Sequence, residues 1–522
     1  MNEMSGTLSA ASSPENLAEM KQRFHALFEP SGVAIVGASS SPLKWGFRIL
    51  FNTILGGYKG TLCGVNPNHT EIADVPCYPS ISALPKAVDL ALIVLPPKYV
   101  LDAIRECARC GVKAVVVITA GFGELKDPAA RSAQAEMVKI AEESDILLVG
   151  PNCAGIASPN PDSLYTGMIS HYPSGGGMSV VSQSGNVGTT ILTWAQLHQV
   201  GIARFVSSGN EAATRSEDYL HFFEHDAKTK AILAYIEGTR DGRRFFETLR
   251  ETAARKPVVV VKGGRTDAGQ RAAASHTGSL AGATALFEAA CRQAGASVVD
   301  DIYQAMELTS AFVNQPLPRG RRVVIVSEGG GWGVMGADAC AAAGLDVIEL
   351  PPDLMRELDS FMPGWWSHGN PVDLVAGNDR TLMSRSIETI LKCRDVDAVM
   401  VLGVGYMGSQ SARLKESKEV EHLGLTKLID IARNTELHEV RRITGMIDLY
   451  EKPIITASDT AMLAYGPIPN EAISEMERLG LHAYASPINA ARTLAHMVER
   501  YEFVNGIPRS GAKRGRAAGA AN

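Results

Sequence analysis

The chain has 522 residues, of which 45% are hydrophobic and 20% are charged, and its formal net charge is −6. This length predicts several domains, because single hydrophobic cores stop growing at roughly 250–300 residues. The weakly acidic charge excludes the basic surface typical of nucleic-acid-binding proteins, and no apolar run reaches the roughly 18–20 residues of a membrane-spanning helix. Because residues 1–16 also lack the apolar stretch of a signal peptide, we expect a cytoplasmic protein.

Cysteine and histidine spacings argue against a disulfide framework and against a metal centre. Eight cysteines in a chain this long do not make a disulfide scaffold. Cys107 and Cys110 form a single CxxC with no second pair at zinc-site spacing, so we interpret them as small residues on a helix. His221 and His225 are four residues apart, as metal ligands on a helix can be, but no third ligand is evident. We therefore predict no metal site in this chain.

Short, continuously apolar segments alternate with helical patterns along nearly the whole chain. Strands of this composition are buried on both faces, which is typical of parallel sheets covered by helices. The clearest of them are residues 33–36, 90–95, 114–118 and 146–149. The predicted fold class is α/β, with three consecutive doubly wound domains, Rossmann-like or flavodoxin-like, and mainly parallel sheets.

Clusters of proline and glycine predict the boundaries between these domains. The first cluster lies at residues 150–153 and the second at residues 314–321. They divide the chain into domains at 25–150, 151–316 and 317–505, with a disordered segment at 1–24 and a flexible basic tail at 506–522.

In each predicted domain, a strand ends in a turn rich in glycine or serine that opens a helix. Such a turn aims free backbone N–H groups and the positive end of the helix dipole at one place, so each is a candidate anion site. The three openings are residues 36–42, 180–188 and 324–333. Their residues, including Ser184, Gly185, Gly330 and Gly331, also serve as plain turn formers elsewhere, and both interpretations stand at this point.

The turn of the first opening, followed into the start of its helix at residues 37–46, lacks the full GxGxxG pattern of dinucleotide-binding turns. The next predicted strand ends in Val65-Asn-Pro67, without the carboxylate that holds a ribose in nicotinamide dinucleotide sites. The pattern therefore favours a phosphate-bearing ligand over a nicotinamide-dependent dehydrogenase. A doubly wound domain without a ligand is the alternative.

His276 lies in a run of small residues, from Arg271 to Gly282, that follows a predicted strand at 256–262 and a Gly-Gly-Arg turn. An imidazole without bulky neighbours is not packed into a core. We expect a histidine presented on a loop, which its small residues leave free to move. Most lone histidines are structural or on the surface, so a catalytic role depends on the surrounding motifs.

These motifs resemble, in their order, those of the NDP-forming acyl-CoA synthetases, a superfamily that includes ADP-forming acetyl-CoA synthetase and succinyl-CoA synthetase. The resemblance covers roughly residues 25–500. It rests on the motifs Val36-Gly-Ala-Ser39, Gly57-Tyr-Lys-Gly60, Val65-Asn-Pro67, Asp89-Leu-Ala-Leu92, Leu95-Pro-Pro97, Ile118-Thr-Ala-Gly-Phe-Gly-Glu124, Gly150-Pro-Asn-Cys153, Ser182-Gln-Ser-Gly185, Ser208-Gly-Asn210, Tyr235-Ile-Glu-Gly-Thr-Arg-Asp-Gly242, Ser275-His-Thr-Gly-Ser-Leu-Ala-Gly282, Glu328-Gly-Gly-Gly331 and Asn370-Pro-Val-Asp-Leu374.

The resemblance implies that the first domain binds CoA as a substrate. In succinyl-CoA synthetase, a lysine soon after the proline of the Val-Asn-Pro loop contacts CoA. This chain has His69 near that place, and Lys44 is the expected substitute for the charge. The residues implicated in CoA binding are Gly37, Ser39, Ser40, Ser41 and Pro42 around the phosphates, and Pro67, Ile118, Thr119 and Ala120 along the rest.

The resemblance also implies that His276 is a phosphohistidine and that Glu237 is the carboxylate that orients it. The chemistry agrees, because a neutral imidazole is nucleophilic near pH 7 and can accept a phosphoryl group. An adjacent carboxylate fixes the tautomer and supports the developing imidazolium. Two helix N-termini would hold the phosphoryl anion, one at Ser184 and Gly185 and the other at Gly330 and Gly331.

Some positions in these motifs keep more than one interpretation. Glu211 follows Ser208-Gly-Asn210, where many relatives have acidic residues within a few positions. Asn370 and Asp373 fit either a functional role or a loop anchor. Cys153 belongs to the family pattern, but the motif suggests no His or Asn partner, so we do not expect it to be a nucleophile.

The family reaction is acyl-CoA + phosphate + NDP ⇌ carboxylate + CoA + NTP, and it needs an ATP-grasp module. After the third domain, the chain lacks the further two hundred or so residues that such a module takes. The resemblance therefore implies the α subunit of a two-subunit ADP-forming acyl-CoA synthetase. Its expected partner is an ATP-grasp β subunit that binds Mg²⁺ and ATP or ADP, in a heterotetramer.

The alternative is a non-catalytic regulatory protein of the same fold that binds CoA or an acyl-CoA. The presence of both His276 and Glu237 favours the enzyme, because a sensor would not need both. The substrate is a small carboxylate whose identity the motifs do not encode, since one methylene changes selectivity by only about 1–3 kcal/mol. The choice between ATP and GTP lies on the expected partner.

Overall fold

In a computed structural model of the protein, the described residues are 14–269, 271, 284–374, 379, 381–405, 413–414, 417–461 and 470–508. They form three sheets. The first two sheets belong to a compact unit that ends at Thr309, and the third belongs to a second unit that begins at Ser310. His276 lies outside the described residues.

The first sheet has seven strands, parallel except at its β3 edge, in the order β3-β4-β2-β1-β5-β6-β7. The order reverses at β1, so the carboxyl ends of β1 and β5 form the crevice where such sheets bind ligands. The strands are β1 (Gly32–Val36), β2 (Thr61–Val65), β3 (Glu71–Ile72), β4 (Val75–Tyr78), β5 (Leu90–Ile93), β6 (Ala114–Val117) and β7 (Leu147–Val149). The helices around it are α1 (Pro14–Phe28), α2 (Trp45–Leu55), α3 (Val100–Arg109) and α4 (Pro128–Glu143).

Helix α1 corrects the prediction that residues 1–24 are disordered. The segment from Pro14 is helical, and Met20, Phe24 and Phe28 are buried. The ring of Phe24 stacks on that of Phe222 with centroids 4.5 Å apart. The prediction of disorder is therefore wrong from Pro14 onward, and residues 1–13 lie outside the described part of the chain.

The second sheet has the order β14-β13-β12-β10-β11-β8-β9, and its first five strands run parallel. Its order reverses at β10, which lies between β11 and β12, so a second crevice opens at the carboxyl ends of β10 and β12. The strands are β8 (Gly155–Ser158), β9 (Leu164–Gly167), β10 (Gly175–Ser182), β11 (Ile202–Ser207), β12 (Ala231–Ile236), β13 (Val258–Lys262) and β14 (Ser297–Val299). The helices that follow these strands are α5 (Gly185–Leu197), α6 (Ser216–His225), α7 (Gly242–Arg255), α8 (Thr284–Gln293) and α9 (Ile302–Asn314).

The third sheet is parallel, in the order β16-β15-β18-β19-β20, with β17 also paired to β15. Its strands are β15 (Arg322–Ser327), β16 (Asp346–Val347), β17 (Val372–Asp373), β18 (Ala398–Leu402), β19 (Ile454–Ala457) and β20 (Ala483–Tyr484). Its helices are α10 (Gly330–Ala342), α11 (Pro352–Asp359), α12 (Leu382–Lys392), α13 (Lys418–His422), α14 (Thr426–Tyr450), α15 (Glu471–Arg478) and α16 (Pro487–Val504).

The α/β class with mainly parallel, doubly wound sheets is therefore confirmed. Continuous apolar runs such as residues 258–261 became the buried central strands, as their composition predicts. The domain boundaries 25–150, 151–316 and 317–505 stay a prediction. Among the described helices, none is both long and apolar enough to cross a membrane.

Candidate active site

Glu237 lies at the carboxyl end of β12, where the second crevice opens, and its side chain is only 8% exposed. The parallel strands β10 and β13 flank β12, with Ser182 opposite Tyr235 and Lys262 opposite Ile236. Parallel strands bring their carboxyl ends to one edge of the sheet. The residues that follow β10, β12 and β13 therefore meet around Glu237.

Gln183, the residue after β10, binds the backbone beside Glu237. Its side-chain oxygen accepts hydrogen bonds from the N–H groups of Glu237, at 2.6 Å, and Gly238, at 3.0 Å. Its side-chain nitrogen donates to the Gly238 carbonyl at 2.8 Å and to the Glu211 carboxylate at 2.9 Å. Both ends of this one amide are thus engaged in holding the end of β12.

Glu211 is a buried carboxylate behind Gln183. It accepts hydrogen bonds from the hydroxyls of Ser208, at 2.7 Å, and Ser216, besides the bond from Gln183. Burial raises the pKa of Glu211, and these hydrogen bonds act in the opposite direction. The acidic position after Ser208-Gly-Asn210 is therefore filled by a side chain that supports Gln183.

Lys262 ends β13 on the other side of Glu237 and is buried. Its ammonium donates to the carbonyl of Glu237 at 2.7 Å and to the carbonyl of Gly263. Burial lowers the pKa of Lys262, while the charge of Glu237 acts in the opposite direction. A side chain on Gly263 would meet the hydroxyl of Tyr235 at 2.6 Å, so the chain leaves β13 in close contact with the end of β12.

The second opening starts helix α5 next to these residues. The Ser182 hydroxyl donates to the Ser184 carbonyl at 2.7 Å, and the Ser184 hydroxyl accepts from the Val187 N–H at 3.4 Å, which caps the helix. Gly185 is the first helical residue. The structure therefore brings Ser184 and Gly185 to the same sheet edge as Glu237.

The third opening has a similar turn in the second compact unit. The Ser327 hydroxyl donates to the Gly329 carbonyl at 2.7 Å, and α10 begins at Gly330. A side chain on Gly330 would lie 3.0 Å from the Asp373 carboxylate, whereas one on Gly331 would meet nothing within 4 Å. The N-terminus of α10 is thus open at Gly331.

Asn370 is a loop anchor. Its side-chain oxygen accepts from the Ile325 N–H, and its nitrogen donates to the carbonyls of Val323 and Ile348, all at 2.9 Å. These three bonds hold the Asn-Pro-Val-Asp segment against β15. Of the two interpretations of Asn370, the geometry favours the anchor.

The first opening forms a tight backbone turn at the end of β1. Gly37 has φ +97°, and a side chain there would lie 2.8 Å from the Val94 carbonyl oxygen. A side chain on Gly46 would lie 2.0 Å from the Gly37 carbonyl oxygen, so α2 begins directly against the turn. Backbone groups rather than side chains therefore line this end of the crevice, which suits a phosphate ligand.

The predicted CoA residues around this turn differ in exposure. Ser39 is buried and its hydroxyl accepts from the Ser41 N–H at 3.2 Å, whereas Ser40, Pro42 and Lys44 are exposed. Arg48, which the sequence did not single out, contacts the Pro42 carbonyl at 3.2 Å. Lys44 and Arg48 thus supply two positive charges at the start of α2.

The Val-Asn-Pro loop closes over the same turn. Asn66 donates to the Ala38 carbonyl at 2.7 Å, and His69 lies 3.5 Å from the Ser40 hydroxyl. Pro67 is exposed between them. Asn66 therefore ties the loop down at the place where a dinucleotide site would have its ribose carboxylate.

The end of β6 joins the two sheets of the first unit. Ile118 is buried in the core, Ala120 is exposed, and the Thr119 hydroxyl donates to the Leu95 carbonyl at 2.7 Å. The Thr119 carbonyl accepts from the Asn152 N–H at 3.0 Å, and the Asn152 amide donates to Asn210 at 3.2 Å.

Asn210 continues this path toward Glu237. Its amide donates to Glu124 and Gln134, and its carbonyl accepts from Arg240, three residues beyond Glu237, at 3.1 Å. We call this path, Thr119–Asn152–Asn210–Arg240, the inter-sheet seam.

The buried thiols are not suited to nucleophilic chemistry. Burial raises the pKa of Cys153 and of Cys107 to about 12, which keeps both protonated at neutral pH. Cys153 also donates to the Val117 carbonyl at 3.3 Å. The geometry therefore agrees with the expectation that Cys153 is not a nucleophile.

His221, Glu224 and His225 form a cluster on α6 whose possible ligand atoms lie within 4.8 Å of one another. Glu224 supplies a third candidate ligand, which is not evident from the sequence. The Arg255 guanidinium lies 2.9 Å from the Glu224 carboxylate and neutralises it. A cation beside the carboxylate makes it a poor metal ligand, because the two positive charges repel.

Sequence reasoning missed Gln183 and Lys262 as functional candidates. Gln183 lies within the Ser182-Gln-Ser-Gly185 motif and Lys262 at the end of a predicted strand, but the sequence alone indicates no role for either. A buried lysine at the carboxyl end of an otherwise apolar strand was the available signal, because lysine is almost never fully buried unless paired.

Comparisons with known proteins identify the family of the chain. Three family descriptions match consecutive parts of the chain: "CoA binding domain" at residues 31–159, "Succinyl-CoA ligase like flavodoxin domain" at 175–312 and "Ligase-CoA domain" at 323–409. The α subunit of acetate–CoA ligase [ADP-forming] II from Pyrococcus furiosus is 33% identical over 480 residues, which are 92% of this chain and 98% of that protein.

The chain belongs to the α subunits of the ADP-forming acyl-CoA ligases. It is therefore an acid–thiol ligase subunit of the succinyl-CoA synthetase superfamily, as its motifs predicted.

Other relatives extend the same family. The 4-hydroxybutyrate–CoA ligase [ADP-forming] of Nitrosopumilus maritimus is 32% identical over 92% of this chain, which spans 65% of that longer protein. The dinucleotide-forming acetyl-coenzyme A synthetase 1 of Ca. Korarchaeum cryptofilum, solved with phosphate and ADP, superposes with a TM-score of 0.79 at 30% identity and covers 94% of this chain and 99% of that one. These ligases favour the enzyme over the regulatory alternative.

Proposed function

We propose that the protein interconverts acyl-CoA, phosphate and ADP with the carboxylate, CoA and ATP, through an acyl phosphate and a phosphohistidine at His276. The observation that carries this proposal is the position of Glu237. It is a buried carboxylate beside the start of α5 and beside β13, from which the chain continues toward His276.

In the first step, a phosphate oxygen attacks the thioester carbonyl of the acyl-CoA. The C–S bond breaks, CoA leaves as the thiolate, and an acyl phosphate forms. Ser184 and Gly185 at the N-terminus of α5 would bind the phosphate, since a helix N-terminus favours an anion. Gly330 and Gly331, at the N-terminus of α10, would offer a second phosphate-binding position of the same kind.

In the second step, the neutral His276 imidazole attacks phosphorus, the bond to the acyl oxygen breaks, and the carboxylate leaves. Glu237 would accept the hydrogen bond of the other ring nitrogen and stabilise the imidazolium that forms. A β-phosphate oxygen of ADP then attacks the phosphohistidine, the P–N bond breaks, and ATP forms.

The first opening has the features that a CoA diphosphate needs. Its backbone approaches closely at Gly37 and Gly46, its hydroxyl at Ser40 is exposed, and Lys44 and Arg48 supply charge. We propose that Ser39, Ser41, Pro42, Pro67, Thr119 and Ala120 complete the CoA site, and that Ile118 contributes its backbone because its side chain is in the core.

We further propose that the nucleotide and Mg²⁺ bind an ATP-grasp β subunit, with which this chain forms a heterotetramer in the cytoplasm. The names of the Pyrococcus furiosus relatives as α subunits support a partner. The additional length of the Nitrosopumilus maritimus relative is consistent with the same modules in one chain.

The function is tested by labelling the protein with ³²P-phosphate in the presence of acetyl-CoA, 4-hydroxybutyryl-CoA or feruloyl-CoA, because relatives of the chain are named as acetate–CoA ligase, 4-hydroxybutyrate–CoA ligase and trans-feruloyl-CoA synthase. We expect an acid-labile, base-stable label in the wild type and none in His276→Ala. His25→Ala, which removes an exposed imidazole from α1, is the matched control and should label normally. Label that persists in His276→Ala would contradict the proposal, as would a wild type that takes no label from any of the three.

The partner is tested by co-purification from the source cells. An ATP-grasp protein should accompany the chain, and ADP should discharge the label only when that protein is present. Full ligase activity of the isolated chain would contradict the two-subunit proposal.

A further inference from the structure

The peptide backbone on each side of the Glu237 side chain is held by a different residue. Gln183 accepts from the Glu237 N–H at 2.6 Å, and Lys262 donates to the Glu237 carbonyl at 2.7 Å. Gln183 directly follows β10 and Lys262 ends β13, the two strands that flank β12, so the two contacts approach from opposite sides. The position of Glu237 is therefore fixed by contacts from both neighbouring strands.

We propose that Lys262 and Gln183 are positioning residues that clamp Glu237 between the start of α5 and the end of β13, the strand that precedes His276 in the chain. The proposal rests on the proposed function and adds to it a pair of residues that act through Glu237 without replacing it.

The other contacts of the two clamp residues connect Glu237 to the N-terminus of α5 and to the end of β13. Gln183 lies directly before Ser184, so its bonds to Glu237 and Gly238 fix the strand end relative to the N-terminus of α5. Lys262 also donates to the carbonyl of Gly263, the first residue after β13. Gln183 thus fixes Glu237 relative to the N-terminus of α5, and Lys262 fixes it relative to the end of β13.

Burying a lysine side chain is energetically unfavourable, so a purely structural role does not explain its presence here. Burying an ammonium costs several kcal/mol before any partner is counted. Two carbonyls do not require a positive charge, because a neutral amide can donate to them as well. The positive charge of Lys262 can interact favourably with a neighbouring carboxylate, and Glu237 is such a neighbour.

An apolar wall next to the clamp strengthens this effect. Lys262 and Glu237 line a cavity of about 350 Å³ together with Phe245, Phe246 and Phe287. The Lys262 ammonium lies 5.8 Å from the centre of the Phe287 ring. Electrostatic interactions are stronger in such surroundings than in water, so the ammonium bears on both the orientation and the charge of Glu237.

Gln183 needs both its oxygen and its nitrogen. The oxygen receives two backbone N–H groups, while the nitrogen donates to Glu211 and to the Gly238 carbonyl. Glu211 fixes the orientation of the amide, since only the amide nitrogen can donate to its carboxylate. Neither a glutamate nor a methionine at this position reproduces the set.

The residues just before the same strand supply a matched control. Lys256, just before β13, donates to the carbonyls of Phe223 and Asp226 at 2.7 and 2.6 Å. It therefore bridges two backbone carbonyls as Lys262 does, and burial lowers its pKa likewise. It lies at the amino end of the strand, away from Glu237, so it shares the structural role and lacks the proposed one.

The experiment measures the rate of histidine labelling by ³²P-phosphate with the three acyl-CoAs named above, in Lys262→Met, Lys256→Met and Gln183→Met. We expect Lys262→Met and Gln183→Met to lower the rate about 10–100-fold, the loss that misplacing a catalytic group typically causes. Lys256→Met should stay within about threefold of the wild type, although its melting temperature falls as much as that of Lys262→Met. Lys262→Gln keeps an N–H donor and replaces Lys262→Met if the latter does not fold.

The decisive comparison repeats the Lys262 substitution in a Glu237→Gln background. If Lys262 acts through Glu237, its loss should cost little there, and the two substitutions should be strongly non-additive. Equal losses in both backgrounds, or equal losses in Lys262→Met and Lys256→Met, would overturn the clamp while leaving the phosphohistidine intact. A wild type that takes no label removes the proposed function first, and the clamp with it.

Discussion

The openings after β10 and β15 share a backbone design but differ in their surroundings. In both, a strand-terminal serine, Ser182 or Ser327, donates to the carbonyl two residues later at 2.7 Å, and the helix begins one residue after that carbonyl. In both, a glycine in the first turn packs against a neighbour. The turn geometry therefore follows from the same local sequence pattern.

Around this common turn, the second opening carries more side-chain support. Ser184 caps α5 with its hydroxyl, whereas Gly329 at the same place in the third opening has no side chain. The strand next to β10 leads into Glu237-Gly238, while the strand next to β15 leads into Gly403-Val404-Gly405. The second opening thus combines a capped helix N-terminus with the buried carboxylate of Glu237, whereas in the third opening the Asp373 carboxylate of the paired strand β17 lies beside Gly330.

The largest expected difference between the openings concerns their acidic residues. Glu237→Gln should lower the labelling rate of His276 about 10²–10⁴-fold, because the imidazolium loses its partner. Glu328→Gln, in the third opening, should cost at least tenfold less. Single-turnover labelling measures both, and equal losses would mean that the two openings are chemically equivalent.

Buried acids behind the second opening predict a pH effect on stability. Burial raises the pKa of Glu217 to about 7, from 4.5 in the unfolded chain. The folded state therefore binds more protons than the unfolded state between these pH values, and stability falls as pH rises from about 4.5 to 7.

Glu217→Gln removes this penalty. It should raise the free energy of unfolding by about 2–4 kcal/mol at pH 8, and by much less at pH 5. Urea unfolding at the two pH values measures the difference. A gain of the same size at both would show that the charge of Glu217 is not the cause.

The glycines of the two openings should respond differently to a methyl group. A side chain on Gly188 would lie 2.9 Å from the Phe205 ring, so Gly188→Ala should cost about 1–3 kcal/mol. Gly331→Ala meets nothing within 4 Å and should stabilise α10 by up to about 1 kcal/mol. Calorimetric unfolding separates them. A Gly331→Ala protein that is as unstable as Gly188→Ala would contradict the open space found at α10.

The smallest expected effect concerns the N-cap residues of the two helices, Ser184 of α5 and Gly329 of α10. Ser184→Ala should lower stability by about 1 kcal/mol, whereas Ser184→Gly, which copies Gly329, should cost only a few tenths. Thermal unfolding of the pair is the measurement. Equal losses would show that the Ser184 hydroxyl matters for something other than the cap.

The sequence predicted the sheets well because their strands are continuously apolar, as in β13. It failed at α1, although Met20, Phe24 and Phe28 recur every four residues, which is the signal of a buried helix face. Local composition near the N-terminus was polar enough to hide it.

At the candidate site, the sequence predicted which motifs meet but not how they are joined. Gln183 contacts Gly238 across 55 residues of chain, and no spacing rule connects them. Lys262 was visible only as a charge at a strand end. Such contacts depend on the order of β13, β12 and β10 in the sheet, which periodicity does not contain.

The inter-sheet seam has a mechanical consequence. Hydrogen bonds run from Thr119, at the proposed CoA site, through Asn152 and Asn210 to Arg240, close to Glu237. Under the proposed function, these bonds would keep the distance between the thioester of a bound acyl-CoA and the Glu237 carboxylate nearly constant while the ligands change. In that case the proposed CoA site and Glu237 would act as one rigid support on which each acyl phosphate forms.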